Sequence, residues 1–372
     1  MVGKFLLAVG QSAIYTSTFS ELSIFLFAFS SLSVLAQVKY SNEFLKIGVG
    51  ARALGMSNAA IASTNDVTSS YWNPAGLVRM EDDYQLAAMH AEIFAGIAGY
   101  NYFGLGLKVD DKSAIAVSLI RFGVDDIPNT ARLIDNEGNI DFNRVTFFSA
   151  VDYAGVISYS RKTNIDGLTL GGNAKIIHRR VGDFSNAWGF GLDAGAQYVK
   201  DKWTFAAMGR DITGTFNAWT TDLDAETEQT FLATGNELPG SSVEVTVPEL
   251  VLGLNRAFEI TSKLALQTEL NLINTFDGKR NTLFRSNFAS MDPNFGIEAS
   301  LNNKIFLRGG VGNFQATTDI SGNRLTTVQP NFGLGVKFSY FTIDYAFTNL
   351  GEVSVAQSSN IFSLRIDINK GQ

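Results

Sequence analysis

The chain has 372 residues, a net charge of −7 and no cysteine. That composition rules out disulfides, thiolate metal sites, a cysteine nucleophile and a lipidated N-terminal cysteine. The absence of any basic block argues against a nucleic-acid partner.

Hydrophobic residues make up 45% and charged residues 17% of the chain. Beyond residue 40, however, no run approaches the ~20 apolar residues of a membrane helix. Glycine is abundant and proline scarce, at 35 and 6, with 29 phenylalanines. Glycine and aromatic residues spread over alternating segments suit a β-barrel better than a helical bundle, which would favour Ala, Leu, Glu and Lys.

In chain order, residues 1–36 read as a signal peptide. The apolar run from Leu22 ends in Val34-Leu35-Ala36, with small residues at −3 and −1 of a cut before Gln37. The region before it is long and carries only Lys4 as a base, as a start codon chosen too far upstream would produce. Residues 37–82 lack strand alternation and read as a compact N-terminal hatch. Asn65-Asp66 is positioned to cap a short helical turn through Trp72, and Asn73-Pro74 stops it, because the residue before proline is pushed out of the helical region.

From 83 to 372 the period is two. Fourteen strands are expected, near 84–93, 97–109, 113–122, 145–162, 168–180, 187–199, 203–211, 247–258, 263–276, 294–302, 304–317, 330–340, 341–349 and 359–369. Phe332, Leu334, Val336 and Phe338 share one face, against Gly333, Gly335 and Lys337 on the other. Every second connection is short. The others are mostly long, notably 123–144, 212–246 and 277–293, the second reading as one acidic exposed loop. The tight Ala95-Gly96 hairpin and the 181–186 segment depart from that rule. Such asymmetry is that of a bacterial outer-membrane barrel with long loops outside, and an even strand number puts both termini in the periplasm. Closure is required because an open edge would leave unpaired backbone groups in lipid. Tyr84, Tyr153, Tyr159, Trp188, Trp203, Phe341 and Tyr345 would form the interfacial girdles. A soluble exported β-protein is the competing architecture.

The segment Gly50-Ala51-Arg52-Ala53-Leu54-Gly55-Met56, then Asp66, then Trp72-Asn73-Pro74-Ala75-Gly76-Leu77 resembles the N-terminal signature of the PorV/PorQ family, within the superfamily of FadL-type transport barrels. The match is to a general member rather than to PorV itself. The resemblance implies a fourteen-stranded barrel enclosing a hatch built on Gly50, Arg52, Gly55, Met56, Asp66, Asn73, Pro74 and Gly76. It also implies a part in type IX secretion, engaging secretion components or the signal domains of cargo proteins through the loops 123–144 and 212–246. The alternative within the superfamily is a FadL-like channel for a hydrophobic small molecule, which needs an apolar pocket and a sideways opening. A purely structural barrel is a third reading.

Chemistry is sparse. His90 and His178 are isolated, and neither a nucleophile elbow, a phosphate loop nor a His-Glu-x-x-His motif occurs. No enzyme, metal or cofactor is expected. Asp222, Asp224 and Glu226 alternate but lack the spacing of a calcium loop, so a solvated acidic loop is favoured. Strand parity instead sends charge inward. Asp152, Asp193, Glu249, Glu269, Glu298, Asp344 and Asp367 are expected to face Lys175, Arg179, Arg210, Arg308, Lys337 and Arg365 in one lumen network, since Arg or Lys on the lipid face would cost roughly 2–4 kcal/mol at mid-depth. Arg52 is expected to tie the hatch to a wall carboxylate.

Overall fold

The alternation that begins at Tyr84 produces fourteen antiparallel strands in a closed ring. The computed structural model describes residues 37–38, 41–134, 138–235, 237–318, 324–349 and 358–369. The expected signal peptide lies outside them. The strands are β1 Tyr84–Ile93, β2 Ala98–Asp110, β3 Ser113–Asn129, β4 Thr146–Lys162, β5 Leu168–Val181, β6 Ser185–Lys200 and β7 Trp203–Arg210. They continue as β8 Glu249–Glu259, β9 Leu264–Thr275, β10 Ser290–Leu301, β11 Ile305–Thr318, β12 Arg324–Phe338, β13 Phe341–Asn349 and β14 Ser358–Ile368. Each pairs with its neighbour in sequence, and β14 closes on β1 with Ile368 opposite Tyr84 and Asn360 opposite Glu92.

Parity sorts the two faces as the charge pattern requires. Phe332 is 62% and Phe362 55% exposed on the outside, whereas Arg308 is 3% and Asp344 7% exposed inside. Trp188 and Tyr159 also point outward. Short turns cluster on the rim where β1 begins and β14 ends; the longer connections cluster on the opposite rim.

Several expectations need correction. β3 runs on to Asn129 because a bulge absorbs one extra residue between Val124 and Ile127, with Asp126 at a φ of 56°. The 181–186 connection shrinks to a tight turn. The acidic 212–246 loop is not irregular: Thr215–Thr221 and Ser242–Thr246 pair as a hairpin that extends the wall, the first strand lying along the upper half of β6. Between them sits α3, Ala225–Ala233, capped by the Asp224 carboxylate on the Thr227 amide. The alternation of Thr215–Thr221 was present in the sequence, but the polar composition around it masked the signal.

Residues 41–83 fill the lumen. Two short α-helices, α1 Ala51–Gly55 and α2 Ser69–Trp72, alternate with 3₁₀ turns at Glu43–Lys46 and Pro74–Arg79. The expected Asn65-Asp66 cap falls two residues short of the helix, whose N-cap is Thr68. Asp66 accepts from the Thr68 amide at 2.9 Å and its hydroxyl at 2.5 Å, so Thr68, with no capping side chain of its own, becomes the first flanking residue of α2. Asn73 closes α2 and opens the next turn, its Oδ1 accepting from the Ala75 amide at 3.2 Å.

The hatch docks against glycine. A Cβ added to Gly55 would stand 2.9 Å from the Gly333 Cα, and one on Gly296 would stand 2.8 Å from the Met56 Cβ. Backbone therefore packs on backbone, which only glycine permits. Gly333→Val is expected to push α1 off the wall, costing ~1–3 kcal/mol by overpacking. The expected readout is a barrel that still shifts on gels after heating while its N-terminal segment becomes protease-sensitive; an unchanged digestion pattern would contradict this docking.

Candidate functional site

The inward charges do not form one network. They separate into clusters at different heights of the barrel, each with a distinct task. Toward the short-turn rim, Glu298 on β10 accepts from Arg308 on β11 at 2.5 Å and from Arg52 of the hatch at 3.1 Å. Arg308 also reaches Asp344 on β13 at 2.6 Å. Beside it, Arg365 on β14 joins Asp66 of the hatch at 2.7 Å and Asp367 at 3.0 Å, with Lys337 3.7 Å from the same aspartate. Thus two motif residues, Arg52 and Asp66, insert into wall clusters of opposite sign.

Toward the long-loop rim, Lys175 on β5 lies 2.7 Å from Asp193 on β6 and 2.5 Å from Asp211. Asp211 begins the break between β7 and the hairpin, and its amide donates to Asp193 at 2.9 Å. The break is therefore fixed by a buried lysine shared between two carboxylates. Arg179 pairs with Asp152 at 2.8 Å and with Glu244 of the hairpin at 3.6 Å. Nearby, Asn217 donates to Asn42 at 2.9 Å, joining the hairpin to the start of the hatch.

Two residues assigned to the network act differently. Arg210 places its guanidinium 5.0 Å from the Tyr71 ring and 5.7 Å from that of Trp72, a cation–π clamp on α2. Glu269 accepts from the backbone amides of Ala62 at 2.8 Å and Ser63 at 2.9 Å. It therefore serves the hatch main chain, whose buried N–H groups need partners.

Neutral wall residues that the charge-based reading passed over do the same work. Gln197 on β6 donates to the carbonyls of Ile61 at 2.9 Å and Thr64 at 3.1 Å, and Gln85 on β1 accepts from the Val67 amide at 3.0 Å. Asn173 donates to the Ser70 carbonyl at 2.9 Å, and Asn73 of the motif donates to the Ala196 carbonyl at 3.1 Å. Their signal in the sequence was the same inward parity that singled out the charges.

The remaining motif residues are structural. Gly50 takes a φ of 83° ahead of α1, and its amide donates to the Met89 sulfur at 3.0 Å. Pro74 lies against Gly171, and a Cβ on Gly76 would stand 2.7 Å from the Ser69 hydroxyl. His90 meets Asn101 at 2.8 Å and His178 lies 4.4 Å from the Trp188 ring, both wall contacts. Asp224 and Glu226 pair with Arg132 across the loops, at 3.3 and 3.1 Å, and the Thr227 amide holds the Asp224 carboxyl below its ordinary range. Both acids thus have protein partners.

The hatch separates two cavities. On the long-loop side a cavity of about 290 Å³ touches Ser57, Asn58 and Ile61. At the short-turn rim a cavity of about 560 Å³ touches Arg52, Ser63, Asn65 and Asp66. The partition runs through Ile61–Ser63, where Ile61 lines the first cavity and Ser63 the second, the stretch held by Glu269 and Gln197.

Comparison with solved structures finds this architecture in several barrels. The CymD monoaromatic hydrocarbon channel superposes with a TM-score of 0.56 at 14% identity, covering 88% of this chain and 99% of its own. The toluene transporter TbuX of Ralstonia pickettii gives 0.52 at 13% identity, covering 87% and 99%. A FadL homologue from Pseudomonas aeruginosa gives 0.50 at 14% identity, covering 86% and 98%. The fold is theirs. No family model and no curated protein matches the chain.

Removing Glu298 leaves two guanidinium groups without their shared carboxylate, whereas removing Arg52 leaves Glu298 still paired with Arg308. Glu298→Ala is therefore expected to lose ~3–5 kcal/mol, the usual cost of breaking a buried pair, and Arg52→Ala distinctly less. Urea unfolding midpoints in detergent test the order; a larger loss for Arg52→Ala would refute it.

Proposed function

We propose that the chain is an integral outer-membrane channel for small, largely hydrophobic molecules, with both termini on the periplasmic side. Three features support the location: an apolar exterior, closure without a free edge, and β1 and β14 ending on the rim of short turns. The observation that carries the function is the pair of cavities divided by Ile61–Ser63. Ile47, Leu54, Trp72, Val251 and Ile273 give the outer cavity an apolar part, as a site for a greasy solute needs. CymD and TbuX are a hydrocarbon channel and a toluene transporter, and their fold is shared here. The secretion role implied by the motif rests on that resemblance alone; none of these neighbours is a secretion component.

Passage on this reading needs no chemistry and no enzyme activity. A solute enters from the loop side, partitions into the outer cavity and leaves it when the partition shifts. Four hydrogen bonds hold that stretch: Glu269 accepts from the Ala62 and Ser63 amides, Gln197 donates to the Ile61 carbonyl, and Arg52 donates to the Ser63 hydroxyl. Once the Arg52–Ser63 bond breaks, the wall clusters that hold Arg52 and Asp66 can stay in place while it moves, so opening does not require expulsion of the hatch.

The test is uptake of labelled toluene into proteoliposomes. The wild-type barrel is expected to accelerate entry over protein-free vesicles, and Glu269→Ala is expected to raise leakage of a small hydrophilic dye several-fold by freeing the partition. Toluene entry no faster than in protein-free vesicles would defeat the channel reading. Unchanged dye leakage in Glu269→Ala would defeat the gate.

A further inference from the structure

The outer cavity carries negative charge that the protein itself does not neutralise. Glu249 on β8 and Asp292 on β10 both line it. In the ladder Glu249 stands opposite Thr275 on β9. The next inward position, Val251, stands opposite Ile273, and Ile273 in turn opposite Asp292. The two acids are thus two strands apart, with the aliphatic side chains of Val251 and Ile273 between them.

Glu249 is only 9% exposed. Among the described residues its carboxylate has neither an ion pair nor a hydrogen-bond donor, and its oxygens keep open surface where the cavity reaches them. Asp292 accepts from the Phe314 amide at 3.3 Å. A bulge between Gly312 and Gln315, with Asn313 at a φ of 51°, sets that amide off the ladder. No cation among the described residues pairs with Asp292 either. The cations that share the lining are engaged elsewhere. Lys46 pairs with Glu43 at 2.9 Å and Arg280 with Asp277 at 2.5 Å. Arg210, opposite Glu249 in register, is turned onto the Tyr71 and Trp72 rings. Two acids face that single guanidinium, which leaves negative charge in excess. A carboxylate taken out of bulk water without a partner is costly, and the cavity is where a partner can reach it.

We propose that the outer cavity binds a protonated organic amine, its ammonium group held by the Glu249 and Asp292 carboxylates and its apolar body lying on Val251 and Ile273. This deepens the channel reading, whose solute becomes a cationic amphiphile, and rests on it. An ammonium group has three donors and no acceptor, so it suits carboxylate oxygens that no other group pairs. A hydrocarbon of the same shape would fill the apolar part and leave both charges uncompensated. A carboxylic acid would add a third.

The probe is benzylamine, set against three relatives. Toluene lacks the charge, benzyl alcohol keeps a polar group but is neutral, and benzoate reverses the charge and would select Arg210 instead. Titration of the detergent-solubilised barrel by calorimetry is expected to give saturable benzylamine binding roughly tenfold or more tighter than any of the three. Glu249→Gln and, separately, Asp292→Asn are each expected to weaken benzylamine roughly tenfold, the loss of one charge-assisted hydrogen bond, and to leave toluene unchanged. Each variant is first checked for the heat-induced gel shift, and the wild-type ligand series decides the matter if neither folds. Any of the three relatives binding as tightly as benzylamine, no saturable benzylamine binding, or a folded variant with wild-type affinity would each overturn the proposal. Proteoliposome uptake is scored separately. Failure of every solute to cross while benzylamine still binds would defeat the channel and leave the site standing; toluene crossing without benzylamine binding would do the reverse.

Discussion

The structure depends on one constraint: no backbone polar group inside the wall or the lumen can be left to water. The wall meets it by closing on itself, with Ile368 opposite Tyr84. The hatch cannot meet it alone, because its helices are only four or five residues long and each helical end leaves N–H and C=O groups without internal partners. The wall supplies what is missing. Ser363 accepts from the Ala51 amide at 2.6 Å just where α1 begins, and Asn271 donates to the Asn58 carbonyl at 3.1 Å shortly after it ends. The inward polar residues of the barrel are thus in large part the missing hydrogen-bond partners of a segment that has too little regular structure of its own.

That division explains why charge and neutral polarity have different places. Ion pairs lock the stretches on either side of Ile61–Ser63, through Arg52 and Asp66, into wall clusters near one rim, and an amide–amide hydrogen bond joins Asn42 to the hairpin near the other. Neutral amides and a single carboxylate hold the middle. A salt bridge with both partners buried is hard to break once formed, whereas an amide–carbonyl bond contributes only ~0.5–1.5 kcal/mol net. The molecule therefore combines firmly anchored flanks with a weakly held centre, and the cavities meet at that centre.

Much of this was legible in the residues. Alternation over Phe332–Phe338 or Phe362–Ile368 fixed which side faces outward, because a slip of one residue would have exchanged every charge for an aliphatic group. The strand count and the Arg52–carboxylate pairing followed from the same parity. What escaped were features that parity does not encode. A bulge at Asp126 or Asn313 has no composition signal beyond residues tolerant of positive φ. The helix Ala225–Ala233 lies within an acidic stretch, and Glu269 looks like any inward acid until the amides of Ala62 and Ser63 are placed against it. The division of the charges into separate clusters depends on strand neighbours and height, both of which emerge only when the ring closes.

The extra residue in β11 has a consequence for how this wall tolerates change. Without Asn313, Gly312 would be followed directly by Phe314, and the pleat would run unbroken through the position where the register now slips. Gln315 would still stand opposite Thr327 and Ala316 opposite Thr326, so both would keep the faces they have now. A one-codon deletion at that spot would thus be absorbed by the loss of the bulge, whereas the same deletion at a regular position lower in the strand would turn every side chain beyond it to the other face.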